Sequence, residues 1–253
     1  MIYVTGDIHG LPQDRLEDWC FVEQENMTKA DTVIICGDFG CVWNYTGQTK
    51  EEKDTLNWLE DRPFTTVFCD GNHENFRRLN QYPVAEWNGG LVHVIRPSVL
   101  HLIRGEVYTI EGKKFFAFGG ARSHDINDGI IPYGPDWREL ATEWRLQRKS
   151  FRIEDISWWK EEMPSKEEMD RGIRNLKKHD FKVDYVVSHC APSFVVATFS
   201  RGLFKPDELT DYLQGLIYEY GLSFKKWFFG HYHDDRNVLT DYIMLYEQII
   251  RIL

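Results

Sequence analysis

The hexapeptide Cys69-Asp70-Gly71-Asn72-His73-Glu74 decides how this chain is read. It follows Thr65–Phe68, a β-branched and aromatic run that predicts a buried strand. A strand that stops at a glycine and then presents amide, imidazole and carboxylate groups sets them at a carboxyl edge. That is where open α/β sheets bind ligands. Alone, the hexapeptide also fits an ordinary turn with a helix start. Its weight comes from other strand ends of the same kind.

Upstream, Ile2–Thr5 predicts a first strand that closes on Gly6-Asp7-Ile8-His9-Gly10. If Asp7 and His9 extend that strand, their i, i+2 spacing puts both side chains on one face. Pro12 then opens a helix with Leu16, Trp19 and Cys20 at helical spacing. Residues 32–36 are continuously apolar, as expected of a strand covered on both faces, and they end in Gly37-Asp38-Phe39-Gly40. Residues 51–62 predict a helix with Leu56 and Leu59 on one side. Asp7, Asp38 and Asn72 thus recur at about thirty residues, the length of a βαβ unit.

Downstream the pattern changes. Residues 91–95, Val99–Leu102, Glu106–Ile110 and Lys113–Phe118 are short runs split by turn residues, and Ile110-Glu111-Gly112-Lys113 reads as a hairpin turn. A mixed rather than purely parallel sheet is predicted. Residues 119–165 are the least regular stretch and read as a cap or insertion on a single domain spanning 1–253. Ser165 and Glu168 form a capping-box pattern for a helix over 166–179. Residues 183–188 predict a strand ending in His189-Cys190-Ala191-Pro192, and Pro206 opens a helix to about Tyr220. Lys226–Phe229 predicts a strand ending in Gly230-His231-Tyr232-His233, and 237–253 give closing strands.

The chain has 253 residues, 42% hydrophobic and 15% aromatic, enough for one sizeable core. With nine tryptophans, some are expected to line a pocket. The formal charge of -10 gives no basic-surface signal for gripping a long polyphosphate. A nuclease remains compatible, because bound cations supply local positive charge. No basic-then-apolar leader opens the chain and no apolar run is long enough for a bilayer, so no secretory route or membrane partner is expected. Five cysteines, odd in number and without C-x-x-C spacing, argue against a disulfide framework and for a cytoplasmic location.

Five predicted strand ends therefore carry Asp7 and His9, Asp38, Asn72 and His73, His189, and His231 and His233. Imidazole, carboxylate and amide oxygen together suit two borderline or hard divalent cations better than a thiolate site. Two such ions roughly 3.5–4 Å apart clamp a phosphoryl group and lower the pKa of water between them. One carboxylate must lie between the ions to hold them that close.

Read in order, Gly-Asp-Ile-His-Gly, Gly-Asp-Phe-Gly, Gly-Asn-His-Glu, Ser-His-Cys-Ala-Pro and Gly-His-Tyr-His resemble the blocks of the calcineurin-like metallophosphoesterases, from Asp7 to His233. The resemblance implies a mixed α/β, four-layer sandwich: two mixed β-sheets flanked by helices, with a dinuclear metal site at strand ends. It implies Asp7, His9 and His233 on the first metal, Asn72, His189 and His231 on the second, and Asp38 bridging. The two divalent ions would be drawn from manganese, iron, zinc and nickel. His73 would not be a ligand; it would hydrogen-bond the substrate phosphate and protonate the leaving oxygen. A hydroxide bridging the metals would attack phosphorus in line, without a covalent phosphoenzyme.

The chain departs from the Ser/Thr phosphatase branch, which continues the second block as Gly-Asp-x-Val-Asp-Arg-Gly. Here Gly37-Asp38 runs on as Phe39-Gly40-Cys41-Val42-Trp43, without the Asp that would orient the catalytic His or the Arg that would grip phosphate. Arg122, after a strand end, is a candidate replacement, with His124 and Asp125 as further substrate-binding candidates. For His124 and Asp125 a plain loop surface weighs about equally. Glu74 reads as either an acid at a helix start or an orienter of His73. Cys36, Cys69 and Cys190 read as packing residues, and His93, His101 and His179 are assigned no role. Trp158-Trp159 and the basic run Arg145, Arg148, Lys149 and Arg152 read as a core Trp and a solvated helix face ahead of a substrate wall. The function predicted is a metal-dependent phosphoesterase, phosphodiester favoured, acting on a phosphate ester that includes nucleotides or nucleic acid ends. The alternatives are a phosphomonoesterase, protein phosphatase included, and a non-catalytic metal-binding scaffold.

Overall fold

Along the central strands the side chains alternate between two different cores. Ile2, Val4, Ile34, Val67, Phe115, Ala117, Tyr185, Val187 and Phe228 meet in one buried cluster. Their neighbours Tyr3, Val33, Ile35 and Phe68 turn to a second, and Phe116, Phe118, Val186, Trp227 and Phe229 to a third. Strands apolar on both faces must be covered on both, and this alternation produces the layers.

The structure, a computed structural model, describes residues 1–252. In chain order the elements are β1 (Ile2–Thr5), α1 (Gln13–Leu16), β2 (Thr32–Ile35), α2 (Lys50–Glu60), β3 (Thr65–Phe68), α3 (Phe76–Leu79), β4 (Val84–Trp87), β5 (Gly90–Arg96), β6 (Val99–Leu102), β7 (Glu106–Ile110), β8 (Lys113–Phe118), β9 (Gly129–Ile131), α4 (Trp137–Leu146), β10 (Phe151–Ile153), α5 (Lys166–Lys178), β11 (Tyr185–Ser188), α6 (Ser193–Ser200), α7 (Glu208–Tyr218), β12 (Lys226–Phe229), β13 (Arg236–Leu239), β14 (Tyr242–Met244) and β15 (Ile249–Arg251). A seven-stranded sheet has the order β15-β1-β2-β3-β6-β5-β4, and a six-stranded sheet the order β13-β14-β12-β11-β8-β7. Both are mixed. In the first, β1, β2, β3 and β6 are parallel, with antiparallel strands at its edges. In the second, β8, β11, β12 and β14 are parallel. The two sheets pack face to face and helices cover their outer faces, a mixed α/β four-layer sandwich.

Several local expectations hold for physical reasons. Ser165 and Glu168 close a reciprocal capping box on α5. Glu111 and Gly112, both at positive φ, make the turn between β7 and β8. Others need correction. The helix expected after Pro12 is a single turn: Glu17 is already extended, and Trp19 is 79% exposed. Asp7 and His9 do not share a strand face, because β1 stops at Thr5 and His9 sits at φ 45° in a loop. Residue 253, at the end of the expected closing strands, lies outside the described residues.

The irregular stretch 119–165 has its own small architecture. β9 and β10 pair in parallel, and α4 packs on them through Ile131, Ala141 and Ile153. Trp159 leaves this unit for the outer core of the first sheet, where it meets Trp43 edge-on. No helix among the described residues is long and apolar enough to cross a membrane.

Candidate metal centre and active site

Parallel strands share a carboxyl edge. The loops after β1, β2 and β3 in one sheet and after β8, β11 and β12 in the other therefore open toward the same place. Asp7, His9, Asp38 and His233 form one compact group there, and Asp38, His189 and His231 form a second. Within each group the ligand-type atoms lie within 4.8 Å of one another, and Asp38 belongs to both. His9 Nε2 is 3.0 Å from His233 Nε2, and His233 Nε2 is 3.3 Å from an Asp7 oxygen. His189 Nε2 is 3.2 Å from Asp38 Oδ1.

Close backbone approach makes this convergence possible. A Cβ on Gly230 would stand 2.0 Å from Asp7 Oδ1, and one on Gly71 would stand 2.1 Å from Asp38 Oδ1. Only a residue without a side chain fits there. His9, Asp38, His231 and His233 all adopt positive φ, which costs a non-glycine residue about 1–2 kcal/mol each. Backbone N–H groups also hold the carboxylates: Asp7 accepts from the His231 N–H at 3.0 Å, and Asp38 from the His73 N–H at 2.8 Å.

Within this cluster two buried atoms are left without partners. Asn72 directs its amide nitrogen toward Ser123 Oγ at 3.5 Å, and its Oδ1 finds nothing. His189 Nδ1 donates to the Cys36 carbonyl at 2.7 Å, while Nε2, although near Asp38, makes no aligned hydrogen bond. A buried polar atom without a partner is rare and costly, and a cation is one remedy. Burial alone would keep His189 neutral, but Asp38 and Asp7 push its imidazole up to about 10. The cluster calls for positive charge, and oxygen and imidazole donors of this kind fit divalent ions.

Beside the two groups is a cavity of about 120 Å³ lined by Asp38, Asn72, His73, His124, Asp125, Arg152, His231 and His233. Arg122 does not reach it: its side chain is 58% exposed, 3.7 Å from Asp207. The guanidinium in the cavity belongs to Arg152, on β10, with a side chain only 7% exposed. Its Nε donates to Asp125 at 2.6 Å, Nη1 to the Asn72 carbonyl at 3.2 Å, and Nη2 to His73 Nε2 at 2.9 Å. An Arg donor requires that His73 nitrogen to be an acceptor. Burial, with the help of Arg152, lowers the His73 imidazole to about 4 against the pull of Asp38. Trp43 stacks on the His73 ring at 5.3 Å, so one of the many tryptophans does wall the site. His124 Nε2 lies 2.8 Å from His231 Nε2.

Glu74 has neither role expected of it. It is fully buried and accepts from the Phe39 and Gly40 N–H groups, fastening the loop after β2 to the loop after β3. Asn75, not Glu74, caps α3. The sequence reading also missed Glu162, buried under Ser123 and accepting its N–H at 3.0 Å. No motif marks it. His101 and His93, left without a role, form a buried pair that ends on Asp70, which also accepts from Arg104 Nε at 2.8 Å.

A fold of this kind with this cluster at its strand ends defines a metal-binding phosphoesterase class. The profile of the calcineurin-like phosphoesterases matches residues 1–235, and the chain belongs to that family of hydrolases acting on phosphoric ester bonds with divalent metal ions. It is 26% identical over 151 residues to lariat debranching enzyme A of Xenopus laevis, covering 53% of this chain and 27% of that protein. It is 24% identical over 161 residues to the lariat debranching enzyme of Danio rerio, covering 53% and 25%. The chain therefore spans about a quarter of the length of these curated relatives. A solved phosphopantetheinyl hydrolase of Mycobacterium tuberculosis superposes with a TM-score of 0.48 at 16% identity, over 97% of this chain and 89% of that one.

Proposed function

We propose that this chain hydrolyses a phosphodiester at a two-cation centre. Asp7, His9 and His233 would hold one cation and Asn72, His189 and His231 the other, with Asp38 shared between them. Manganese, iron, zinc and nickel all suit these donors. The observation that carries the reading is Asp38 standing in both groups while the buried Asn72 oxygen has no partner. Bound, the cations would neutralise phosphate charge and activate water.

The protein groups then divide the remaining work. Arg152 turns its fork from His73 to a non-bridging phosphate oxygen, with Asp125 keeping the guanidinium in place. His73 Nε2 loses a cationic neighbour, gains an anionic one, and takes up from solvent the proton it then gives to the leaving oxygen. Trp43 fixes the plane of that ring. A single guanidinium, already shared with Asp125, matches the one negative charge of a diester better than the two of a monoester. Residues 119–165 act as a cap on one domain, since they deliver His124, Asp125 and Arg152 to the cavity. Five free cysteines, four of them buried, favour a reducing cytoplasm.

The test is hydrolysis of methyl 4-nitrophenyl phosphate and 4-nitrophenyl phosphate by manganese-loaded protein. His73→Ala should lose roughly 10²–10⁴ in kcat with metal content retained. Preference for the monoester would replace the diester reading. Two bound metals with no turnover of either ester would make the protein a scaffold.

A further inference from the structure

A second cleft, of about 610 Å³ and larger than the cavity beside Arg152, is bounded at its inner end by Asp7 and His9. That volume lies within the roughly 300–1,000 Å³ of small-molecule sites. Tyr246, whose ring stacks on His233 at 4.6 Å, continues the cleft outward from the cluster. Tyr3 and Phe21 meet edge-to-face at 4.9 Å behind its base but are buried, so the apolar surface offered to a ligand is that of Leu11, Tyr246 and Ile249.

This wall is built, not loose. Asp235 accepts from the N–H groups of Tyr246, Glu247 and Gln248 at 2.7, 2.9 and 3.1 Å, tying the loop after β14 into one shape. Gly6 lets β1 run against that loop, since a Cβ there would stand 2.1 Å from the Leu245 carbonyl oxygen.

The charge of the cleft is one-sided. Asp14, Glu23 and Glu247 are exposed acceptors along it. Its one cation, Arg15, is spent on Thr5 Oγ1, the Gly6 carbonyl and the Asp7 carbonyl at 2.9, 3.1 and 2.9 Å. Arg15 keeps only its Nε–H and one Nη2–H, on a half-buried guanidinium, and the exposed carboxylates around it repel a further phosphate. Apolar surface from Leu11, Tyr246 and Ile249 beside a rim of acceptors fits a group with an apolar face and hydroxyl or amino donors at its edge.

We propose that this cleft receives the organic part of the ester, an uncharged, donor-bearing alcohol of nucleoside size that carries no second phosphate. The proposal rests on the two-cation reading for the position of the reacting phosphate. It selects small diesters over a polyanionic nucleic acid chain running through this cleft.

Cys20 is exposed on the cleft, while the other four cysteines are buried, so iodoacetamide alkylation reports on it. Millimolar thymidine should slow Cys20 alkylation about threefold or more, with or without manganese, by simple occupancy. Thymidine 3′-phosphate should protect less, and Glu23→Lys with Glu247→Lys should restore that protection. In turnover, the preference in kcat/KM for thymidine 5′-(4-nitrophenyl phosphate) over methyl 4-nitrophenyl phosphate should be about tenfold or more and should collapse in Leu11→Trp. Alkylation indifferent to thymidine, or equal kcat/KM for the two esters, overturns the proposal. Protection by thymidine with neither ester hydrolysed would instead refute the phosphodiesterase reading and leave the cleft standing.

Discussion

Replacing Arg152 by Gln removes the one guanidinium in the cavity while keeping most of its length. A unit charge pair about 4 Å apart is worth roughly 4 kcal/mol at an effective dielectric of about 20. Asp125 already takes part of the Arg152 charge, through the contact at 2.6 Å, and desolvation takes more. About 2–3 kcal/mol remains for the phosphate, and each 1.4 kcal/mol is about tenfold in rate. We therefore expect kcat/KM for methyl 4-nitrophenyl phosphate to fall about a hundredfold in Arg152→Gln. Both constants should move: KM rises because a phosphate contact is gone, and kcat falls because the same contact stabilises charge that builds on the phosphoryl oxygens in the transition state. Arg152→Lys restores charge without the fork and should recover no more than about tenfold. Arg122→Gln, at an exposed pair with Asp207, should stay within about twofold. Folding should be little affected, because Asp125, 58% exposed, is left to water rather than buried unpaired. Wild-type activity in Arg152→Gln, or an equal loss in Arg122→Gln, would refute the assignment.

Behind the site, Asp70→Asn leaves the Arg104 guanidinium, with a side chain 4% exposed, without its main counter-charge. Urea unfolding should show a loss of about 3–5 kcal/mol at pH 7. Burial pushes the Asp70 carboxyl up, and Arg104 with His101 outweighs that and holds it below the usual carboxylate range. Its contribution is thus complete above the unfolded pKa of about 3.9 and fades as pH falls through the folded value, so the gap between wild type and mutant should narrow only in acid. A gap that narrows instead between neutral and alkaline pH contradicts this sign. Gly230→Ala sets a methyl group 2.0 Å from Asp7 Oδ1 and 2.8 Å from the Cys36 carbonyl. Asp7 must move, so elemental analysis should find the cation held with His9 and His233 lost before its neighbour, at a folding cost of about 1–3 kcal/mol.

How much of this was legible in the sequence differs between scaffold and site. The central strands read correctly because their apolar runs are short, continuous and end at glycines, as at Thr65–Phe68 and Lys226–Phe229. The edge strand β4 and the eight-residue α6 were not expected. Val84, Ala85 and Glu86 are exposed, so no alternation marks them, and α6 is apolar almost all round, without a helical period. The clustering of Asp7, His9, Asp38, His189, His231 and His233 was expected, but one reason was wrong. Left-handed backbone at His9 and His233 and glycine contacts aim the side chains, not strand alternation.

Arg152 shows where sequence reading stops. It sits in a run with Arg145, Arg148 and Lys149, and nothing in their order separates the one that turns inward. Arg145 ends α4, while Arg152 falls on β10, whose pairing with β9 and cover by α4 aim it at His73. That direction comes from the packing of Ile131, Ala141 and Ile153, a tertiary property no local pattern records. Cations and carboxylates at strand ends fix the reaction class, because activating water on phosphorus requires little else. On the two proposals above, what the phosphate is attached to depends on Arg152 on one flank and the wall held by Asp235 on the other. Proteins that keep the five blocks but differ in these two pieces should therefore share chemistry and differ in substrate. Exchanging residues 119–165 or the 245–248 wall should move specificity while the metal content stays where it is.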